Sequence, residues 1–187
     1  MRVIAGSARG VRLLAPKGVS TRPTSDRVRE ALFSIITSSF DVKDVRALDI
    51  CAGTGSLGIE AISRGAASCT FIEHDVSACV SLEKNISTAR CPDKTDIIKL
   101  DAVKALRLLA GRGRQFEIAF FDPPYASELY IPVLEALAGF SLIVAGGLLV
   151  VESSSRNVLA DHVGSFVKID HRVYGDTALE LYVQEEP

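Results

Sequence analysis

Asp122, Pro123, Pro124 and Tyr125 carry the sharpest chemical implication in this chain. They follow the apolar run Ile118 to Phe121, so a buried strand is expected to end in a rigid polar corner. The Asp122 carboxylate and the Pro123 carbonyl can accept the two hydrogens of a planar amine. Pro124 fixes the backbone, and Tyr125 offers a ring face on which a base can stack. The arrangement suits an exocyclic amine on a nucleobase, whose lone pair is spread into the ring. Such an amine must be held in line with an electrophile while it turns tetrahedral.

A second constellation supplies a place for a cofactor. In "LDICAGTGSLG", Asp49 comes near the end of an apolar run, and Gly53, Gly55 and Gly58 follow in a Gly-x-Gly-x-x-Gly pattern that opens a helix. Glu73 lies 20 residues after Gly53, at the end of the next apolar run, where a carboxylate can accept hydrogen bonds from two ribose hydroxyls. Asp101, in "KLDAV", is placed to reach an adenine amino group, and Ala52 and Ala102 are expected to line the same site. The loop fits either a nicotinamide dinucleotide or S-adenosylmethionine. Asp49 tips the choice, because a carboxylate there favours a cationic amino-acid ligand and repels a pyrophosphate. The cofactor-binding set is thus Asp49, Ala52, Gly53, Gly55, Glu73, Asp101 and Ala102.

These residues need strand ends to hold them. The runs "VRALDIC", "SCTFIE", "TDIIKL", "FEIAFFD" and "GGLLVVE" are each followed by a helix or connection, the pattern of βαβ units around a parallel sheet. Gly175-Asp176 separates two extended segments of the tail and predicts a closing antiparallel hairpin. At the other end, "RVIAG" and "RLLAP" predict a small hairpin around Gly10. From Thr24 a helix is expected, with Val28, Ala31, Leu32, Ile35 and Ile36 on one stripe. The fold class is therefore α/β.

With 187 residues, 48% hydrophobic and 24% charged, the chain can bury one substantial core. No apolar run reaches the roughly 20 residues that span a bilayer, and the N-terminus has no signal-peptide core, so the cytoplasm is the expected compartment. Cys51, Cys69, Cys79 and Cys91 are spaced 18, 10 and 12 apart, which predicts free thiols and no metal site; His74, His162 and His171 show no ligand spacing either. Net charge is −2, yet residues 1–30 hold seven Lys and Arg against two acids. Such an arm predicts a polyanionic partner touched at one end, through Arg9, Arg12, Arg22, Arg27 and Arg29.

Taken together, "DICAGTGSLG" and "DPPY" resemble class I S-adenosylmethionine-dependent amino-methyltransferases. More narrowly, "RVIAGSARGVRLLAP", "TRPTSDRVREALFSII", "SRGA" and "RVYGDTALELY" resemble the bacterial 16S ribosomal RNA guanine-N2 methyltransferases, over almost the whole chain. The resemblance implies a seven-stranded Rossmann-like sheet with helices on both faces. It also implies methylation of one guanine in 16S ribosomal RNA, within an assembled or assembling small subunit, by a monomer that uses no metal. On this basis residues 1–40 form an RNA-contacting extension and residues 41–187 the methyltransferase domain. Cys51 stands where the family usually has an aromatic. Three other readings share parts of the pattern. A DNA adenine or cytosine methyltransferase would use the same corner, but this chain has no room for a target-recognition domain. An NAD-binding protein would leave "DPPY" without a role, and a non-catalytic RNA-binding module would explain only the arm.

Overall fold

The computed structural model describes residues 1–15, 26–124 and 128–185. Thr24, Arg22 and Tyr125, all named above, lie outside the described residues. Helix α1 (Asp26–Ser39) precedes an alternation of β1 (Arg46–Ile50), α2 (Ser56–Ser63), β2 (Ser68–Ile72), α3 (Val76–Thr88), β3 (Thr95–Ile98), α4 (Ala102–Gly111), β4 (Phe116–Phe121), α5 (Tyr130–Gly139) and β5 (Ile143–Ser154). Three further strands close the chain: β6 (His162–Val163), β7 (Phe166–Tyr174) and β8 (Thr177–Gln184). All lie in one sheet, in the order β3-β2-β1-β4-β5-β8-β7-β6. Strands β1 to β5 pair in parallel, whereas β8, β7 and β6 join antiparallel.

Alternation along the central strands explains the two-faced packing. Ala47, Phe120, Leu148 and Val150 point into a cluster shared with Leu32, Phe33 and Ile36 of α1, Leu57 and Ile59 of α2, and Leu82 and Ile86 of α3. Their sequence neighbours Leu48, Phe121, Leu149 and Val151 point the other way, against α4 and α5. A sheet buried on both faces needs largely continuous apolar strands, and polar exceptions such as Asp49 and Glu117 fall near the strand ends. Full burial of Leu32, Phe33 and Ile36 contributes roughly 1.5–3 kcal/mol for each side chain.

One expectation needs correction. Among the described residues the sheet has eight strands, not seven, because the two-residue β6 adds to the free edge of β7. The N-terminal hairpin is present in short form: beside an antiparallel bridge between Arg2 and Arg12, the Val3 N–H donates to the Val11 carbonyl at 2.9 Å, the Gly10 N–H to the Val3 carbonyl at 2.9 Å and the Leu13 N–H to the Met1 carbonyl at 3.1 Å. Other backbone groups of the hairpin are held by α2. Ile4 and Ala5 donate to the Glu60 carboxylate (2.7 and 3.0 Å), and Ser7 and Ala8 donate to Ser63 on the same helix, α2. The arm also shares its core with the sheet, through Val3, Ala8 and Leu13.

Candidate functional site

Strand order places the site. From β1 the chain crosses to β2 and β3 on one side, and β4 and β5 lie on the other, so the order reverses between β1 and β4. Open α/β sheets bind ligands at such a switch point, beyond the carboxyl ends of the strands. Register then aligns the ends: Ile50 pairs with both Ile72 and Phe121. Cys51, Glu73 and Asp122 are therefore each one residue past a common row, on strands about 4.8 Å apart. The glycine loop leaves β1 between Glu73 on one side and Asp122 on the other.

Asp49 is buried, and its Oδ2 accepts the Gly58 N–H at 2.9 Å, which ties the end of β1 to the first turn of α2. Of the three glycines, Gly58 could not carry a Cβ without meeting Phe71 and Cys69 at 2.4 and 2.5 Å, and a Cβ on Gly55 would meet Leu82 at 2.3 Å. Those two glycines serve the packing of α2 on β2 and α3. Gly53 differs: its φ is +54°, and its nearest Cβ neighbour is the Cys51 carbonyl at 4.0 Å. Its open side is the cradle against which a ligand can lie. Ala52 builds the turn, donating to the Ile72 carbonyl and accepting from the Gly55 N–H.

Glu73 does more than was expected of it. Its Oε2 accepts the Gly53 N–H at 2.8 Å, and its Oε1 accepts the N–H groups of His74 and Asp75, both at 2.8 Å. Three of its roughly four lone-pair sites are thus occupied, leaving space for one more donor on Oε2. The carboxylate couples the glycine loop to the end of β2. Asp101 is exposed and caps α4, its Oδ1 accepting from Val103 and Lys104 at 3.1 and 3.3 Å, while Ala102 beside it is buried. At the opposite flank, the Asp122 N–H meets the Ile50 carbonyl at 3.5 Å; Asp122 is half-buried, Pro123 buried and Pro124 exposed. The corner rests on a fixed base, because the Tyr130 ring packs edge-on against Phe121 with centroids 5.7 Å apart.

Charge unites these groups. Burial pushes the Cys51 thiol up to about 12, and the carboxylates of Glu73, Asp122, Asp49 and Asp101 all add to that rise. Acids carried by four neighbouring strands therefore act electrostatically on one residue, which itself sits in the left-handed region at φ 61°. A pyrophosphate would be repelled there, while a ligand bearing an ammonium and a sulfonium would be attracted. The four cysteines remain unpaired with one another, and three are buried.

Burial also raises Asp49 from 3.8 to about 7, opposed by the Gly58 N–H and assisted by Glu73. Between those values the folded protein holds a proton that the unfolded chain has lost, so stability falls as pH rises through that window and levels above it. A cation nearby favours the ionised form, so its affinity should rise with pH up to about 7 and then flatten. Asp49→Asn should remove both trends. Thermal melts should show the variant gaining on wild type between about pH 4 and pH 7, and calorimetry should show weaker cation binding with no pH slope. A wild-type affinity that ignores pH would overturn this account of Asp49.

The basic residues divide. Arg9, Arg12 and Arg27 are exposed. Arg29 is not: it is fully buried, donates to the Arg2 carbonyl, pairs with Asp26 at 3.0 Å and lies 4.0 Å from Glu60. Its inclusion among the polyanion contacts is therefore corrected, since its charge serves the joint between arm, α1 and α2. Glu60, Ser63 and Asn85, which hold the arm, were not anticipated. A signal existed for Asn85, which falls between Leu82 and Ile86 on the apolar stripe of α3.

The family model described as "Conserved hypothetical protein 95" matches residues 1–183. Ribosomal RNA small subunit methyltransferase D of Escherichia coli is 34% identical over 185 residues, covering 99% of this chain and 90% of that protein. The solved structure of yhhF from Escherichia coli superposes with a TM-score of 0.86 at 34% identity, covering 100% of this chain and 99% of the other. A hypothetical protein of Thermus thermophilus superposes at 0.84 with 32% identity, over 97% and 98% of the two chains.

Proposed function

The chain belongs to the conserved hypothetical protein 95 family, and from that premise we propose that it methylates small-subunit ribosomal RNA, moving a methyl group from S-adenosylmethionine to the exocyclic N2 of a guanine in 16S RNA. The observation that carries this reading is the open glycine loop at Gly53, held by Glu73 at 2.8 Å and anchored through Asp49 to Gly58, at a strand end level with the Asp-Pro-Pro corner. S-adenosylmethionine would supply an electrophilic methyl group on a cationic sulfur. Asp49 and Glu73 would hold the loop, with Glu73 and Asp101 facing the nucleoside portion. At the corner, Asp122 and the Pro123 carbonyl accept the guanine amino hydrogens, and Tyr125 stacks on the base. Held there, the amine would keep its nitrogen lone pair available to the methyl group that the donor supplies. The methylated amine, cationic at that moment, then loses a proton to Asp122 or to water.

Residues 1–40 dock the RNA in this reading and residues 41–187 carry donor and base. Nucleoside analysis of small-subunit RNA from cells with and without the gene should show one N2-methylguanosine lost; an unchanged profile would sink the assignment. Charge reversal at the exposed Arg9 and Arg12 should weaken RNA binding and flatten its salt dependence by about 0.7–0.9 per lost phosphate contact. Donor affinity in the absence of RNA should stay put. A double variant that methylates small subunits at the wild-type rate would move RNA recognition away from the arm.

A further inference from the structure

Asn85 is fully buried on α3, yet its amide is satisfied by three backbone groups from two distant segments. Its Oδ1 accepts the Leu14 N–H at 2.7 Å, and its Nδ2 donates to the Leu14 carbonyl at 3.0 Å and to the Thr54 carbonyl at 2.9 Å. These partners fix the orientation of the amide, because exchanging O and N would set two donors against each other and an acceptor against two carbonyls. Leu14 is held as a neighbouring strand would hold it. Thr54 lies between Gly53 and Gly55, in the middle of the donor loop.

Other contacts make the junction tight. Leu82, one turn before Asn85, fills the space beside Gly55, and Met1 Sδ of the arm lies 4.0 Å from Thr54 Oγ1. Lifting Leu14 from its seat would leave the buried amide without two partners, and an amide that reorients to recover them releases the Thr54 carbonyl. The loop then loses its only recorded side-chain tether at that residue's backbone, among the described residues.

We propose that Asn85 is a positioning residue that links the seating of the basic arm to the shape of the methyl-donor loop, so that RNA docking and donor binding reinforce each other. The proposal rests on reading the glycine loop as the S-adenosylmethionine site and the arm as the RNA contact. Linkage makes the effect reciprocal: RNA that holds the arm down favours the donor-ready loop, and a bound donor favours the seated arm. The link runs through the arm's backbone. Side-chain charges at Arg9 and Arg12 are therefore free to be reversed without loosening the loop.

The test uses the whole protein and compares Leu14→Pro, which removes the N–H, with Leu14→Ala, which keeps it and alters only an exposed side chain. Asn85→Asp keeps an acceptor for Leu14 but cannot donate to Thr54. Calorimetry should show Leu14→Pro and Asn85→Asp each lowering S-adenosylmethionine affinity by about five- to tenfold, with the double variant no worse than the poorer single and Leu14→Ala like wild type. Amide exchange at Gly53 and Gly55 should quicken in both damaged variants without any ligand. A small-subunit RNA fragment at saturation should raise donor affinity in wild type and fail to do so in Asn85→Asp, a difference that a merely structural role would not produce. Unchanged exchange in Leu14→Pro, additive losses in the double variant, or an equal RNA-dependent gain in Asn85→Asp would each overturn the proposal. Should Leu14→Pro not fold, Asn85→Asp and the RNA arm decide it. Should wild type bind no S-adenosylmethionine, the donor reading fails, and the ligand-free exchange of Gly53 and Gly55 still decides whether arm and loop are linked.

Discussion

Asp122→Ala is expected to lower methyl transfer by about 100-fold or more while leaving S-adenosylmethionine affinity within about twofold of wild type. The separation follows from position. Asp122 leaves β4 one residue past the row in which Phe121 pairs with Ile50, so it flanks the loop on the side away from Glu73, next to the corner. Its work is to hold an amine whose lone pair must leave the ring plane, and misplacement of a reacting group by a single ångström can cost about 100-fold. Tyr125→Ala should cost about 1–3 kcal/mol of base stacking and show mainly as weaker RNA-dependent turnover. Single-turnover assays with saturating donor, alongside calorimetry, separate the two readouts. Wild-type methylation by Asp122→Ala would make the corner merely structural.

Glu73→Ala should do the opposite, costing donor affinity about 100-fold before it touches chemistry. The side chain is buried and collects three backbone N–H groups, from Gly53, His74 and Asp75, so its loss leaves those donors unmet and frees the loop from β2. Hydrogen bonds to a charged group contribute about 1.5–3 kcal/mol each, enough to account for the loss without any ribose contact. Glu73→Gln keeps shape but presents an NH2 group to one set of donors, so it should recover only part of the affinity. Calorimetry on variants whose melts confirm folding checks this. Affinity within about twofold of wild type for Glu73→Ala would remove Glu73 from the donor site.

The arm shows how far sequence reading reaches. Its positive excess is a sum over residues and needs no structure. Which cations face solvent does need one: Arg27 and Arg29 are two apart on one helix turn, and only Arg27 is exposed, because α1 turns its Arg29 face toward Glu60. The predicted hairpin shows the same division. Strand propensity in "RVIAG" is local and is enough to pair Val3 with Val11, but the carboxylate on α2 that takes the N–H groups of Ile4 and Ala5 belongs to a residue far along the chain. The glycine loop behaves likewise. Its pattern announced a tight turn, while the division of labour, Gly53 open and Gly55 and Gly58 packed, depends on Leu82, Phe71 and Cys69 from other elements.

By itself the sequence determined the alternation of strands and helices, the C-terminal hairpin at Gly175-Asp176, and the candidate residues at two strand ends, since each rests on spacing within a short window. Tertiary structure alone decided that the fields of Asp49, Glu73, Asp101 and Asp122, spread over 74 positions of the chain, all bear on Cys51. It also decided that Asn85 joins Leu14 to Thr54. Periodicity says which face a residue occupies on its own element; only the parallel register of β2, β1 and β4, set by packing on both faces of the sheet, brings separate strand ends level with one another.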